Sequence, residues 1–173
     1  MPTTTMAVRM EDFQWNVDLA AKLFEAEAPA GYLELTLQPP GPEELLRQIT
    51  YALKTYAQLC GGHYPRITRT FAEPVRDDIY KAAGISYPPT LEQMQQNNRE
   101  YHRVSEASQG FAWFNRVLRA NPDVAYYGKT VGPKDTDKVL LRWKLDDGKY
   151  QVIFGDLRNE TATAERLRAL EGK

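Results

Sequence analysis

Cysteine is nearly absent from this chain: Cys60 is the single one among 173 residues. No intrachain disulfide can form, and disulfide content cannot report the redox compartment. Histidine is almost as scarce, with only His63 and His102. A structural zinc site needs four ligands, commonly as two close pairs, so the spacing of Cys60 and His63 does not make one, and no metal is expected. Long apolar runs are missing too; none approaches the ~18 residues of a membrane-spanning helix. The opening MPTTTMAVRMEDFQW has neither the apolar core nor the cleavage pattern of a secretion signal. Charge of one sign is also lacking, since 22 Lys and Arg face 23 Asp and Glu for a net charge of −1. No global field draws the chain to nucleic acid or an anionic membrane, which makes nucleic acid an unfavoured partner unless a local basic patch forms. Finally, Gly61-Gly62 has neither phosphate-loop nor dinucleotide-loop spacing, and there is no G-x-S-x-G elbow. No cofactor is expected.

What is present is ordinary globular material, 42% hydrophobic and 26% charged. The length suits one domain carrying a short appended segment. Residues 1–40 read as an extended N-terminal segment, of the kind that could close a preceding domain; alternation at Phe13, Trp15, Val17 and Leu19 and at Leu33, Leu35 and Leu37 flanks an Ala-rich stretch from Asp18 to Ala26 able to form one or two helical turns. The stiff PPGP at 39–42 separates it from a domain spanning 41–173.

That domain opens with a well-specified helix. Gly41 stands at the cap, Pro42 suits the first helical position, and Glu43 and Glu44 oppose the positive end of the dipole. Leu45, Leu46, Ile49, Leu53, Tyr56, Ala57 and Cys60 follow at spacings of 3 and 4 until Gly61-Gly62 ends the helix. A shorter helix is expected from Pro74 to Ala83, stopped by Gly84. Thr90 and Gln93 fit a capping box opening a polar helix with Met94, Tyr101 and Val104 on one side; Gly110 is expected to break or kink it. Phe111, Phe114, Val117 and Leu118 continue at helical spacing before Asn121-Pro122 leads to a strand at VAYYG.

Alternation then marks two strands, Val139 to Leu145 and Tyr150 to Phe154, with Asp147-Gly148 reading as a type I′ turn between them. On that reading Val139, Leu141, Trp143 and Leu145 share a buried face with Tyr150, Val152 and Phe154. A helix near Thr163 to Glu171 is expected to cover a sheet edge with Leu167 and Leu170. Helices first and strands last define an α+β fold, N-terminal helices packed on a small C-terminal antiparallel sheet with a terminal helix.

The chemistry within this frame is sparse. Cys60 at the C-terminal end of a helix is poorly placed for a nucleophile, because the dipole there disfavours a thiolate. Asp135 and Asp137 begin like a calcium loop but lack its remaining ligands. Asp146, Asp147 and Asp156 read as turn formers. Arg142 and Lys144 share the expected solvent face of a strand beside Tyr126, Tyr127 and Trp143, and Lys129 lies nearby; this is the minimum for a single-stranded nucleic-acid binder, and equally the charge that protects an edge strand from aggregation. Asn159-Glu160-Thr161 matches a glycosylation acceptor triplet.

The C-terminal block YYGKTVGPKDTDKVLLRWKLDDGKYQVIFGDL resembles an uncharacterised domain recurrent in planctomycete bacteria, often attached to exported proteins, and LLRQITYALKTYAQLCGGHYP fits the same kind of domain. The latter tract is also similar to the helix-to-loop junction of type II secretion pseudopilins, although the apolar half-helix that anchors a pilin is missing. DFQWNVDLAAKLFEAEAPAGYLE looks like the closing segment of a periplasmic lipoprotein-carrier-like domain. None of these carries a catalytic motif. They imply an exported, extracytoplasmic setting if the chain belongs to a longer protein; otherwise a cytoplasmic one is expected.

The resulting expectation is a noncatalytic, envelope-associated or protein-interaction module with a protein partner, binding through His63, Tyr64, Tyr126, Tyr127, Lys129, Arg142 and Lys144. Large, rigid aromatic side chains give contact area at small entropic cost, with Trp143 and one of the two adjacent tyrosines expected to point into the core instead. The alternatives are a small hydrolase or transferase using His63 with Asp156 or Glu73, and a single-strand nucleic-acid binder using Arg142 and Lys144.

Overall fold

The computed structural model describes residues 40–66, 72–96 and 98–172, so the N-terminal elements expected within 1–40 lie outside the described residues. The helices α1 (Pro42–Leu59), α2 (Ala72–Ala82), α3 (Leu91–Gln96) and α4 (Asn98–Ala120) come first. Strands β1 (Ala125–Tyr126), β2 (Val139–Lys144), β3 (Tyr150–Phe154) and β4 (Asn159–Ala162) follow, and α5 (Ala164–Glu171) comes last. The sheet has the order β1-β2-β3-β4 with every neighbouring pair antiparallel. The chain is an α+β protein.

α1 begins as its sequence dictates, with Gly41 at the cap and Pro42 in the first turn. It closes at Gly61 and Gly62, both with positive φ, where Gly62 N–H donates to Ala57 O at 2.8 Å. The capping box is formed: Gln93 N–H donates to Thr90 Oγ1 at 3.2 Å, and Thr90 N–H donates to Gln93 Oε1 at 3.1 Å. The box opens only the short α3, however, and Gly110 lies in the middle of α4 without breaking it. The reason is tertiary. A Cβ on Gly110 would stand 2.3 Å from the Gln48 carbonyl oxygen and 2.8 Å from Ala52 Cβ. Glycine therefore lets α4 lie directly against the backbone of α1, and that packing outweighs its poor helix propensity.

The β2–β3 connection also differs from expectation. Gly148 N–H donates to Leu145 O at 3.0 Å, Leu145 N–H donates to Lys149 O at 2.7 Å, and in this loop only Gly148 has a positive φ. This is a type I turn followed by a left-handed glycine, not the two-residue type I′ turn, which needs positive φ at both centres. The change moves the register by one residue, and in a strand one residue reverses the face. Leu141 pairs with Ile153, Arg142 with Val152, and Trp143 with Gln151. A bulge between Val139 and Leu141 reverses the alternation once more.

Consequently the strand residues divide between two layers. Leu140, Leu141, Trp143 and Ile153 join Ile49, Leu53 and Tyr56 of α1 and Val104 of α4 in the larger core. Val139, Val152 and Phe154 turn the other way and join Ala162 with Leu167 and Leu170 of α5. α5 thus covers the second face of the sheet instead of its edge. Thr163 caps it, its hydroxyl accepting from Arg166 N–H at 3.2 Å.

Candidate functional site

A groove of about 530 Å³ lies beside Tyr64, built by three segments that are distant in sequence. Lys54, Ala57 and Gln58 come from the last turns of α1, Gly62 and Tyr64 from the loop beyond it, and Pro133 and Lys134 from the β1–β2 connection. Asp156 and Leu157, from the β3–β4 connection, complete the lining. Its floor and walls are mainly apolar, with Lys54 and Lys134 as its cations; neither lysine forms an ion pair or hydrogen bond among the described residues, and both are exposed.

Two interactions hold the walls together. Tyr64, only 1% exposed, donates its hydroxyl to Gly155 O at 2.6 Å and so ties the α1 loop to the β3–β4 connection. Burial, and secondarily the Asp156 carboxylate, push its phenol up to about 12, so the hydroxyl remains a donor throughout the neutral range. On the other side, the segment 132–135 sits directly against Gly155, where a Cβ would stand 2.4 Å from Asp135 O and 2.6 Å from Gly132 O. Asp135 organises that segment, its Oδ2 accepting from Gly132 N–H at 2.9 Å and its Oδ1 pairing with Lys138 at 2.7 Å.

Leu157 is the unusual residue. Its φ is +68°, and no other non-glycine residue among those described has a positive φ. The β3–β4 connection repeats the β2–β3 one: Leu157 N–H donates to Phe154 O at 2.9 Å and Phe154 N–H donates to Arg158 O at 2.8 Å. Asp147 Oδ1 accepts from Lys149 N–H at 3.0 Å in the first loop, as Asp156 Oδ1 accepts from Arg158 N–H at 3.1 Å in the second. Leu157 therefore occupies the left-handed place that Gly148 holds in its counterpart. A side chain there costs about 1–2 kcal/mol of backbone strain, offset by packing of the half-buried leucine against the larger core.

Asp156 has a second partner, with Oδ2 accepting from Arg158 Nε at 2.6 Å. Desolvation works to raise its carboxyl, but the Arg158 bonds more than offset this and hold it below the ordinary carboxylate value. Its charge is compensated beside the groove, and that of the two lysines is not.

The other residues singled out in the sequence scatter. His63 is exposed, its ring edge-on to Tyr56 with centroids 6.1 Å apart, and it bonds to no carboxylate among the described residues. Tyr126 and Tyr127 point to opposite faces. Tyr126 enters the larger core, edge-on to Phe114, and donates to Pro65 O at 2.9 Å; burial drives its phenol far up. Tyr127 packs toward α5 and donates to Glu171 Oε1 at 2.9 Å. Trp143 is buried, while Lys129 and Lys144 are exposed.

Arg142 does not stand on an open solvent face. Its side chain is 17% exposed: Nη1 bonds Asp123 Oδ1 and donates to Asp123 O at 3.0 Å, while Nε donates to Glu171 Oε1 at 3.0 Å. Tyr150 closes the cluster by donating to Asp123 Oδ2 at 2.6 Å. The position of α5 explains this: Arg142 alternates with the buried Leu141 and Trp143, as expected, but the face it shares with Val152 is covered by α5 and not by solvent. Its donors tie α5 and the α4–β1 connection to the sheet.

Cys60, at the end of α1, has its thiol pushed up by burial and then by Asp78, which disfavours the thiolate. Asp147 and Asp156 organise turns, and no group of three His, Cys, Asp or Glu among the described residues could hold a metal ion. Among those residues, too, no helix is long and apolar enough to cross a membrane.

Sequence reasoning named Tyr64 and Asp156 but missed Lys54, Pro133, Lys134 and Leu157 as one lining. The available signal was the likeness of Leu-Asp-Asp-Gly-Lys at 145–149 to Phe-Gly-Asp-Leu-Arg at 154–158, which places Leu157 where a turn wants glycine. Comparison with known proteins adds no relative: no family model, curated protein or solved structure matches this chain.

Proposed function

We propose that this chain is a noncatalytic, envelope-associated protein-interaction module, and that the groove beside Tyr64 receives an extended segment of a partner protein. The observation that carries this reading is Leu157, a bulky residue held in a left-handed conformation within the wall of the groove. Strain of this kind concentrates at functional positions, and glycine would serve the turn alone. An open apolar trough suits a chain that enters and leaves it, whereas small-molecule sites bury most of their ligand's surface. The exposed position of His63, away from any bonded carboxylate among the described residues, favours binding over the hydrolase reading. The resemblances at 42–66 and 124–157 carry no catalytic motif and support an exported setting.

The test is selection of a displayed random-peptide library on the wild-type chain, with counter-selection on Leu157→Gly. That variant relieves the backbone while removing the groove wall and the side chain's packing on the larger core, and an unchanged circular dichroism spectrum verifies that it folds. Peptides that bind the wild type and lose about tenfold or more in affinity on Leu157→Gly, as expected for removal of an anchoring side-chain contact, support the reading. Failure to recover any Leu157-dependent peptide refutes it.

A further inference from the structure

The groove combines an apolar lining with two uncommitted cations. Ala57, Tyr64, Pro133 and Leu157 supply the apolar surface. Lys54 and Lys134 come from separate segments, α1 and the β1–β2 connection, and neither is neutralised by a neighbour among the described residues. The carboxylate that shares the lining, Asp156, is already engaged by the guanidinium and backbone N–H of Arg158. Other charges around the groove are likewise taken: Asp135 pairs with Lys138, and Arg103, which donates to Gln58 Oε1 at 2.7 Å, pairs with Glu100 at 2.8 Å. The free charge left at the lining is positive.

From this we infer that the groove selects acidic polypeptide segments, in which an aliphatic or aromatic side chain seats on Leu157 and Pro133 while flanking Asp or Glu residues meet Lys54 and Lys134. The inference rests on the groove being a polypeptide site and adds the chemistry of its occupant. Apolar contact supplies the anchoring and the lysines supply selectivity, because an interface discriminates through charge complementarity more than it gains raw affinity from it. Segments bearing Lys or Arg beside the anchor are rejected by like charge.

The experiment uses Leu157-dependent peptides from the library, measured on the wild-type chain and on Lys54→Glu/Lys134→Glu. Both lysines are exposed, so the double variant is expected to fold, and its far-UV circular dichroism and urea midpoint verify this. Enriched peptides should carry Asp or Glu next to the apolar residue. Their affinity should fall about tenfold on the double reversal, as loss of two exposed pairs and the added repulsion imply, and should weaken between low and high salt. Peptides with Asp and Glu replaced by Lys should show the reverse preference. Leu157-dependent peptides that are neutral or basic, with affinity unchanged on the double reversal, overturn this inference while leaving the polypeptide site standing. An oligonucleotide that displaces them with salt-dependent affinity also overturns it, in favour of phosphate recognition. Absence of any Leu157-dependent peptide overturns both readings.

Discussion

Gly110→Ala sets two effects of known sign against each other. In an exposed helix the change stabilises by about 1 kcal/mol, because alanine is the better helix former. In α4 the new methyl would meet Gln48 O at 2.3 Å and Ala52 Cβ at 2.8 Å. Ordinary van der Waals contact begins at 3.4 Å, so α1 and α4 would have to part by ~1 Å, enough to forfeit a quarter to a half of each dispersion contact across the seam. Gln48 O belongs to the backbone, so rotamer adjustment cannot relieve the clash. Overpacking of this kind costs roughly 1–3 kcal/mol, occasionally more, and the upper end applies here. Subtracting the propensity gain leaves a net loss of about 2 kcal/mol, or a fall in Tm of roughly 4–8 °C for a chain of this size. Urea unfolding followed by circular dichroism should show a lower midpoint with unchanged slope. Gln109→Ala, at an exposed neighbouring position, should change stability by less than about 0.5 kcal/mol. A Gly110→Ala variant more stable than the wild type would refute the close approach of the two helices.

The matched hairpins provide a second test: Gly148→Ala, at φ +82° with open space around it, should lose about 1 kcal/mol, whereas Leu157→Gly should stay within about 1 kcal/mol of wild type because strain relief offsets lost packing. Equal, large losses in chemical denaturation would contradict a shared loop geometry. Tyr64→Phe should cost about 1–3 kcal/mol by leaving the buried Gly155 carbonyl unpaired, with faster amide exchange in the β3–β4 connection; an unchanged urea midpoint would argue against that bond. Arg142→Met should cost about 2 kcal/mol, between the values for exposed and buried pairs, and should expose α5 amides to exchange before those of β2; uniform protection would show that apolar packing alone holds α5. Stability should also depend on acid. Tyr150 and then Arg142 hold Asp123 below the ordinary carboxylate value of 3.8, and Lys138 and the Gly132 N–H do so for Asp135, as Arg158 does for Asp156 despite opposing burial. Groups with a depressed folded-state pKa contribute stability that is full above the unfolded value and lost as pH falls through the folded one. The urea midpoint should therefore be flat from about pH 5 to 7 and fall below about pH 4; a midpoint that rises on acidification would refute those assignments.

The helices-first, strands-last order, the ends of α1, the Thr90–Gln93 capping box and the existence of the β2–β3 hairpin were legible in the sequence, because each is set within a few residues by glycine, proline, side-chain caps and apolar period, whereas β4 and the separation of α3 from α4 were not read there. What depended on distant contact was not. Gly110 reads locally as a helix breaker, and only the backbone of α1 lying against it shows why α4 continues. Asp147-Gly148 announces a turn but not its type, and the single residue between the two possibilities decides whether Val152 shares a sheet face with Trp143 or with Arg142. Arg142 keeps its expected face but becomes a tether because α5 packs over it. The groove assembles Lys54, Tyr64, Pro133, Lys134 and Leu157 from three segments, and no periodicity links them. The sequence by itself determined the α+β class and the local punctuation of the chain, since short-range backbone preferences act before any tertiary contact. The tertiary structure decided the register, the faces and the candidate site, because those follow from which distant surfaces exclude water together.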